Sequence, residues 1–111
     1  MVKVYGIKNC DTVKKALRHL DENGVEYEFV DFKKTPPTQE VLKRWKEQVG
    51  DWPVNKKGRT YRQFSEEFEA ASSKAKYSML QENTSMLKRP VIEKGKKVFT
   101  LGYDKDLYDK L

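Results

Sequence analysis

One cysteine and one histidine stand among the 111 residues, Cys10 and His19. A single thiol closes no internal disulfide, which excludes a secreted disulfide framework. A single histidine excludes a zinc site of ordinary Cys/His spacing. A Ser-His-Asp triad would have to use His19, and no neighbouring residue supports one. The chemistry left to this chain is that of a lone thiol. Cys10 falls between an alternating run, Val2-Lys3-Val4-Tyr5, and a helical pattern beginning at Asp11. The first turn of a helix carries N–H groups without intrahelical partners and a partial positive charge. A thiolate is stabilised there, and the same N–H groups can hold an anionic substrate or an oxidised sulfur. Lys8, two residues upstream, adds positive charge. The plain alternative is a buried, inert cysteine acting as a small hydrophobe. A strand-to-helix turn between Asn9 and Asp11 favours exposure instead.

The residues after Cys10 are Asp11-Thr12-Val13, so the second thiol of a Cys-x-x-Cys pair is missing. A one-thiol enzyme cannot close its own disulfide. It passes the oxidising equivalent to another thiol through a mixed disulfide. Glutathione is the expected co-substrate, with no bound cofactor and no metal. The Thr12 hydroxyl is a candidate hydrogen-bond donor to the thiolate, or else an ordinary first-turn residue.

Two further clusters hold candidate anion contacts. Arg89-Pro90 precedes an apolar run. An X-Pro bond there could be cis, as about 5–6% of X-Pro bonds are. Cis-Pro90 would set backbone opposite Cys10, and Arg89 would then aim its guanidinium at an oxyanion or carboxylate held on the sulfur. Lys56-Lys57-Gly58-Arg59 offers Lys57 and Arg59 as a second contact, or forms an ordinary solvated loop. His19 lies on the polar side of its helix and reads as a surface residue.

The elements that must position these residues follow from periodicity and caps. Val2–Tyr5 reads as a strand. Asp11 reads as the N-cap of a helix carrying Val13, Ala16, Leu17 and Leu20 on one face, ended by Asn23-Gly24. Val25 to Phe32 alternates with period two. Strand, helix and strand within about thirty residues make a βαβ unit, whose strands are parallel and whose crossover is right-handed. Pro36-Pro37 breaks the pattern. Thr38 caps a second helix with Val41, Leu42, Trp45 and Val49 inward, closed by Gly50. Residues 51–60 are irregular. Helices are expected over 61–68 and 73–82, the latter with Ala75 and Met79 or Leu80 inward. Trp45 and Trp52 are expected to pack this segment onto the core. Residues 90–93 and 97–100 form an antiparallel hairpin about Gly95. Asp104 caps a last short helix with Leu107, Tyr108 and Leu111 inward.

The order points to an α/β thioredoxin-like fold: a four-stranded mixed sheet with a helical insertion. The 111 residues fit one domain. Its core is expected at about 1–34 and 87–111, with the insertion at about 35–86. Length suffices to bury a core without a staple. Mean hydropathy is −0.89 and charged residues make up 36%. Even so, two Trp, six Tyr and five Phe argue against disorder. No apolar run reaches the ~20 residues of a membrane span, and the first residues lack a signal-peptide pattern. A cytoplasmic location, no membrane contact and a monomer are expected. The net charge of +6 permits anionic partners. The basic residues are spread among acids, as on a lysine-rich surface. No aromatic–basic platform favours direct nucleic-acid binding.

Tyr5-Gly6-Ile7-Lys8-Asn9-Cys10-Asp11-Thr12, followed by Lys14-Lys15-Ala16, resembles the active-site opening of the ArsC/Spx family, and of its YffB-type branch in particular. Thr35-Pro36-Pro37-Thr38, Leu87-Lys88-Arg89-Pro90-Val91 and Leu101-Gly102-Tyr103 extend the likeness over almost the whole chain. The resemblance implies a nucleophilic Cys10, an anion-contacting Arg89 and a cis-Pro90. It departs from the glutathione/glutaredoxin-dependent arsenate reductases at Gly6, where they carry histidine. It departs again at Leu101-Gly102, near which they carry a third arginine, so efficient arsenate reduction is not expected. The expected activity is that of a glutathione-dependent thiol reductase, with glutathione or a glutaredoxin-type protein as partner. The alternative is a Spx-like adaptor that binds RNA polymerase, without a redox switch because position 13 is valine.

Overall fold

The computed structural model describes residues 2–111. Alternation in the opening residues produces strand β1, Val2–Gly6, which lies inside a four-stranded sheet ordered β2-β1-β3-β4. Strand β2, Tyr27–Asp31, runs parallel to β1 over five paired residues, from Val2↔Tyr27 to Gly6↔Asp31. Strand β3, Val91–Lys94, is antiparallel to β1. Strand β4, Lys97–Leu101, returns antiparallel to β3 through a turn at Gly95, with an irregularity at Ile92/Glu93. The sheet is therefore mixed, as the sequence predicts.

Helix α1, Asp11–Glu22, makes the crossover from β1 to β2. Its apolar positions repeat at helical spacing, and Val13, Ala16 and Leu20 are buried. The helix stops where the Val25 N–H donates to the Leu20 carbonyl and Gly24 turns to φ +68°. Glycine takes that left-handed conformation without a Cβ penalty. Ala16 and Leu20 meet Val2, Val4 and Ile92 from one face of the sheet. Tyr108 of the short helix α5, Lys105–Tyr108, completes this core. Each fully buried aliphatic side chain here contributes roughly 1.5–3 kcal/mol. Asp104 caps α5 by accepting the Leu107 N–H.

Contacts divide the chain into two units, residues 2–35 with 89–111, and residues 36–88. The second unit is helical. Thr38 caps α2, Gln39–Val49, by accepting the Val41 N–H, and Gly50 closes it at φ +86°. Helix α3 spans Arg59–Ala70, starting two residues before the expected position. Helix α4, Ser73–Glu82, is capped by the Ser72 hydroxyl. A single 3-10 turn, Thr84–Met86, follows. Leu42, Trp45, Phe68, Leu80 and Met86 are buried.

Two inward assignments are corrected. Ala75 is exposed, and Tyr77, two residues on, is the buried residue of that turn. The Tyr77 ring stands 4.9 Å from that of Trp52. That aromatic contact decides which face of α4 turns inward. Val49, the last residue of α2, is 41% exposed. Trp52 stacks within its own unit, on Tyr77 and edge-on to Phe68.

Candidate active site

Cys10 is the N-cap of α1, and its carbonyl accepts the Lys14 N–H at 2.9 Å. Asp11, expected as the cap, is instead the first helical residue. The reason is backbone geometry: Cys10 holds the extended conformation of a cap (φ −133°, ψ 124°), while Asp11 already belongs to the helix. No side chain caps this end. The first-turn amides are thus left available beside the sulfur. Cys10 is a free, partly exposed thiol. Asp11 is the acid in that first turn, where a negative charge suits the helix dipole.

Lys8, Asn9 and Thr12 are exposed around Cys10 in the chain. Val13, which stands where a resolving thiol would, is fully buried. It packs on Gly6 of β1, whose hydrogen occupies the space a side chain would need.

Arg89 and Pro90 belong to the same unit as Cys10. The Arg89–Pro90 peptide bond is cis. Pro90 is buried, and its carbonyl accepts the Gly102 N–H at 2.8 Å, which ties the start of β3 to the end of β4. Arg89 is half-buried, with its Nε shielded from solvent. Lys57 and Arg59 are exposed and lie in the 36–88 unit, at the turn leading into α3. Asn55 shapes that turn, its side chain accepting the Lys57 N–H and its carbonyl the Gly58 N–H.

His19 is not the surface residue expected from its helix face. Its side chain is 11% exposed and bonded at both ring nitrogens. Nε2 lies 2.7 Å from Asp109 Oδ1, and Nδ1 lies 2.6 Å from the Tyr103 hydroxyl. A carboxylate only accepts, so Nε2 carries a proton and donates to Asp109, while Nδ1 and the Tyr103 hydroxyl share the other bond. Asn23 donates a second bond to Asp109. These bonds, that from His19 foremost, hold the Asp109 carboxyl below the usual carboxylate range. Lys15 places its ammonium 4.9 Å above the Tyr103 ring. The sequence shows no sign of this network, because its members are 84 and 90 positions apart. Among the described residues, no group of three His, Cys, Asp or Glu side chains could hold a metal ion. Among the described residues, no helix is long and apolar enough to cross a membrane.

The sequence pattern of the ArsC family matches residues 5–111, a span that holds Cys10, Arg89 and Pro90 together. The chain belongs to the ArsC family. An uncharacterised protein of Haemophilus influenzae is 39% identical over 94 residues, covering 83% of this chain and 82% of that one. The solved structure of a protein named YFFB superposes with a TM-score of 0.87 at 36% identity, covering 99% of this chain and 97% of that one. A possible arsenate reductase from Streptococcus mutans superposes with a TM-score of 0.78 at 27% identity, over 93% and 91% of the two chains. A glutaredoxin from Archaeoglobus fulgidus, 21% identical with a TM-score of 0.52 over 99% and 83% of the two chains, shares the fold. The ArsC-family sheet described above is thus thioredoxin-like, with the helical segment inserted between β2 and β3.

Proposed function

We propose that this ArsC-family chain is a monothiol reductase that draws its electrons from glutathione. One observation carries the reading: Cys10 is a free, partly exposed thiol at an N-cap that no side chain closes. The likeness to a possible arsenate reductase supports thiol-based reduction as the kind of chemistry.

The substrate in this reading is a mixed disulfide between a thiol and glutathione. The Cys10 thiolate attacks the glutathione sulfur. A Cys10–glutathione disulfide forms as the original S–S bond breaks, and the released thiolate takes a proton from water. The first-turn amides of α1 and Arg89 hold the negative charge at the sulfur. A second glutathione thiolate then attacks the adduct. Oxidised glutathione leaves, and the Cys10 thiolate is restored. Val13 offers no internal sulfur, so the second thiol comes from outside. Arsenate turns over poorly in this reading, because Gly6 and Leu101-Gly102 replace polar residues of the arsenate reductases.

The test is reduction of a glutathionylated peptide by glutathione, with the adduct on the protein identified by mass spectrometry. The expected result is turnover by the native chain, a glutathione adduct at Cys10 after mild oxidation, and loss of both in Cys10→Ser. Undiminished turnover in Cys10→Ser, or none in the native chain, overturns the reading. Stoichiometric capture of RNA polymerase by an inactive chain would then favour the adaptor.

A further inference from the structure

The two edges of the sheet are built differently. Strand β4 meets β3 across an irregularity at Ile92/Glu93 and begins at Lys97, directly after Lys96. Bulges and edge lysines are devices that discourage another strand from adding. Strand β2, Tyr-Glu-Phe-Val-Asp, carries none of them: its register with β1 is unbroken, and it contains neither lysine nor proline. Phe32 donates its N–H to the Gly6 carbonyl. With period two, the backbone groups of Glu28 and Val30 therefore face β1, and those of Tyr27 and Phe29 face away, as does the Asp31 N–H; the Asp31 carbonyl accepts the Lys34 and Thr35 N–H groups of the following turn. Among the described residues, no strand pairs with that outer side.

An open groove of about 660 Å³ runs beside residues 28–31. Lys3, Lys8 and Lys34 line it, and all three are exposed. None of them makes an ion pair among the described residues. The carboxylates in the groove are Glu28 and Asp31, and Asp31 is already the acceptor of the Lys33 N–H. Three ammonium groups thus face two carboxylates, and the groove carries a net positive charge.

We propose that β2 and this groove dock an extended, acidic peptide segment of a partner protein, which adds to the sheet as a further strand. The outward amides and carbonyls supply the main-chain bonds, and the three lysines select acidic side chains. Lys8 stands two residues before Cys10, within about 7 Å along the chain, so a segment lying in the groove reaches the thiol's loop. That this segment belongs to a disulfide substrate rests on the function proposed above; the docking itself does not.

The test uses the full isotope-labelled chain and blocked octapeptides without cysteine, read by amide chemical shifts. An alternating glutamate–threonine peptide is expected to shift the amides of Tyr27, Phe29 and Asp31. Its lysine–threonine counterpart should bind roughly tenfold more weakly or not at all. The double variant Lys3→Glu/Lys34→Glu should reverse that preference. Lys34→Glu alone, in an exposed turn, should reduce it if the double variant folds poorly. N-methylation at alternate peptide residues should abolish binding, because a strand bonds through alternate amides. Equal binding of both peptides, shifts confined to other elements, or indifference to N-methylation overturns the proposal. Binding that persists in Cys10→Ser supports docking independently of the thiol. A native chain that docks the acidic peptide and reduces no disulfide sinks the reductase reading and leaves docking standing.

Discussion

A Cβ placed on Gly6 would stand 2.9 Å from Cγ2 of Val13 and 3.4 Å from its Cγ1. The strand that leads to Cys10 and the helix that follows it are thus in direct contact at Gly6 and Val13. Val13 stands where a Cys-x-x-Cys pair would hold its second thiol. Each keeps the other: a buried valine needs a bare backbone opposite it.

Gly6→Ala is therefore expected to lower stability by roughly 1–3 kcal/mol, the usual cost of overpacking. This holds even though alanine is otherwise favoured over glycine within an element. Thermal or urea unfolding measures it. Val13→Ala removes the atoms in the way, so the penalty of Gly6→Ala should shrink in the double variant. Additive penalties would show that the close approach is not what Gly6 protects.

Arg89 is expected to act on charge at the sulfur, not on the fold. Arg89→Ala should slow the single-turnover reduction step on the order of a hundredfold, as loss of an anion-stabilising donor does. Arg89→Lys should restore little, since a point charge does not reproduce a planar fork. An unchanged single-turnover rate in Arg89→Ala removes Arg89 from the mechanism.

Asp109 predicts an acid limb to stability. Its carboxyl is held below the ordinary range, first by the hydrogen bond from His19 and then by that from Asn23. A lowered folded value contributes stability that is fully present above the unfolded carboxylate value of about 3.9. That contribution is lost as pH falls through the lower folded value. Asp109→Asn should be less stable than the native chain near neutrality, and the gap should close in acid. A gap that is constant with pH would mean the carboxylate charge plays no part.

Tyr108 predicts the opposite limb. Burial is the main cause that pushes its phenol up to about 12, and its hydroxyl donates to the Gly102 carbonyl. Stability from this group is complete below the unfolded value of about 10. It is lost as pH rises from there toward about 12. Tyr61, pushed up to about 12 chiefly by its bond to Glu69, acts in the same window. Tyr108→Phe should make alkaline unfolding less steep, read by circular dichroism alongside phenolate absorbance. Alkaline curves that coincide after normalisation would show that Tyr108 ionises alike in both states.

Much of the architecture is written in local signals. Thr38 and Gly50 bracket α2, and Ser73–Glu82 is the α4 expected from its pattern. Alternation in Val2–Tyr5 and in the second strand, with a helix between them, dictates a parallel pair. Caps, turns and periods act over a few residues, so they survive without knowledge of the fold. Where two local signals compete, they fail. Asp11 reads as the cap of α1, and the extended backbone at Cys10 makes Cys10 the cap instead. Ala75 reads as inward in a helix of weak amphipathicity, and Tyr77, against the Trp52 ring, is the residue buried there.

The sequence by itself determined the lone thiol, its place before a helix, the missing partner at Val13 and the mixed sheet. Tertiary structure decided the rest. It brought Glu93 beneath the Tyr5 hydroxyl, 88 positions away, and bonded His19 to both Tyr103 and Asp109. It filled the space at Gly6 with Val13, and it left one edge of the sheet regular while breaking the other. Composition and spacing along a chain specify which groups exist and which local conformations they favour. Which distant groups meet depends on how strands register and helices cross, and that is fixed only when the core closes.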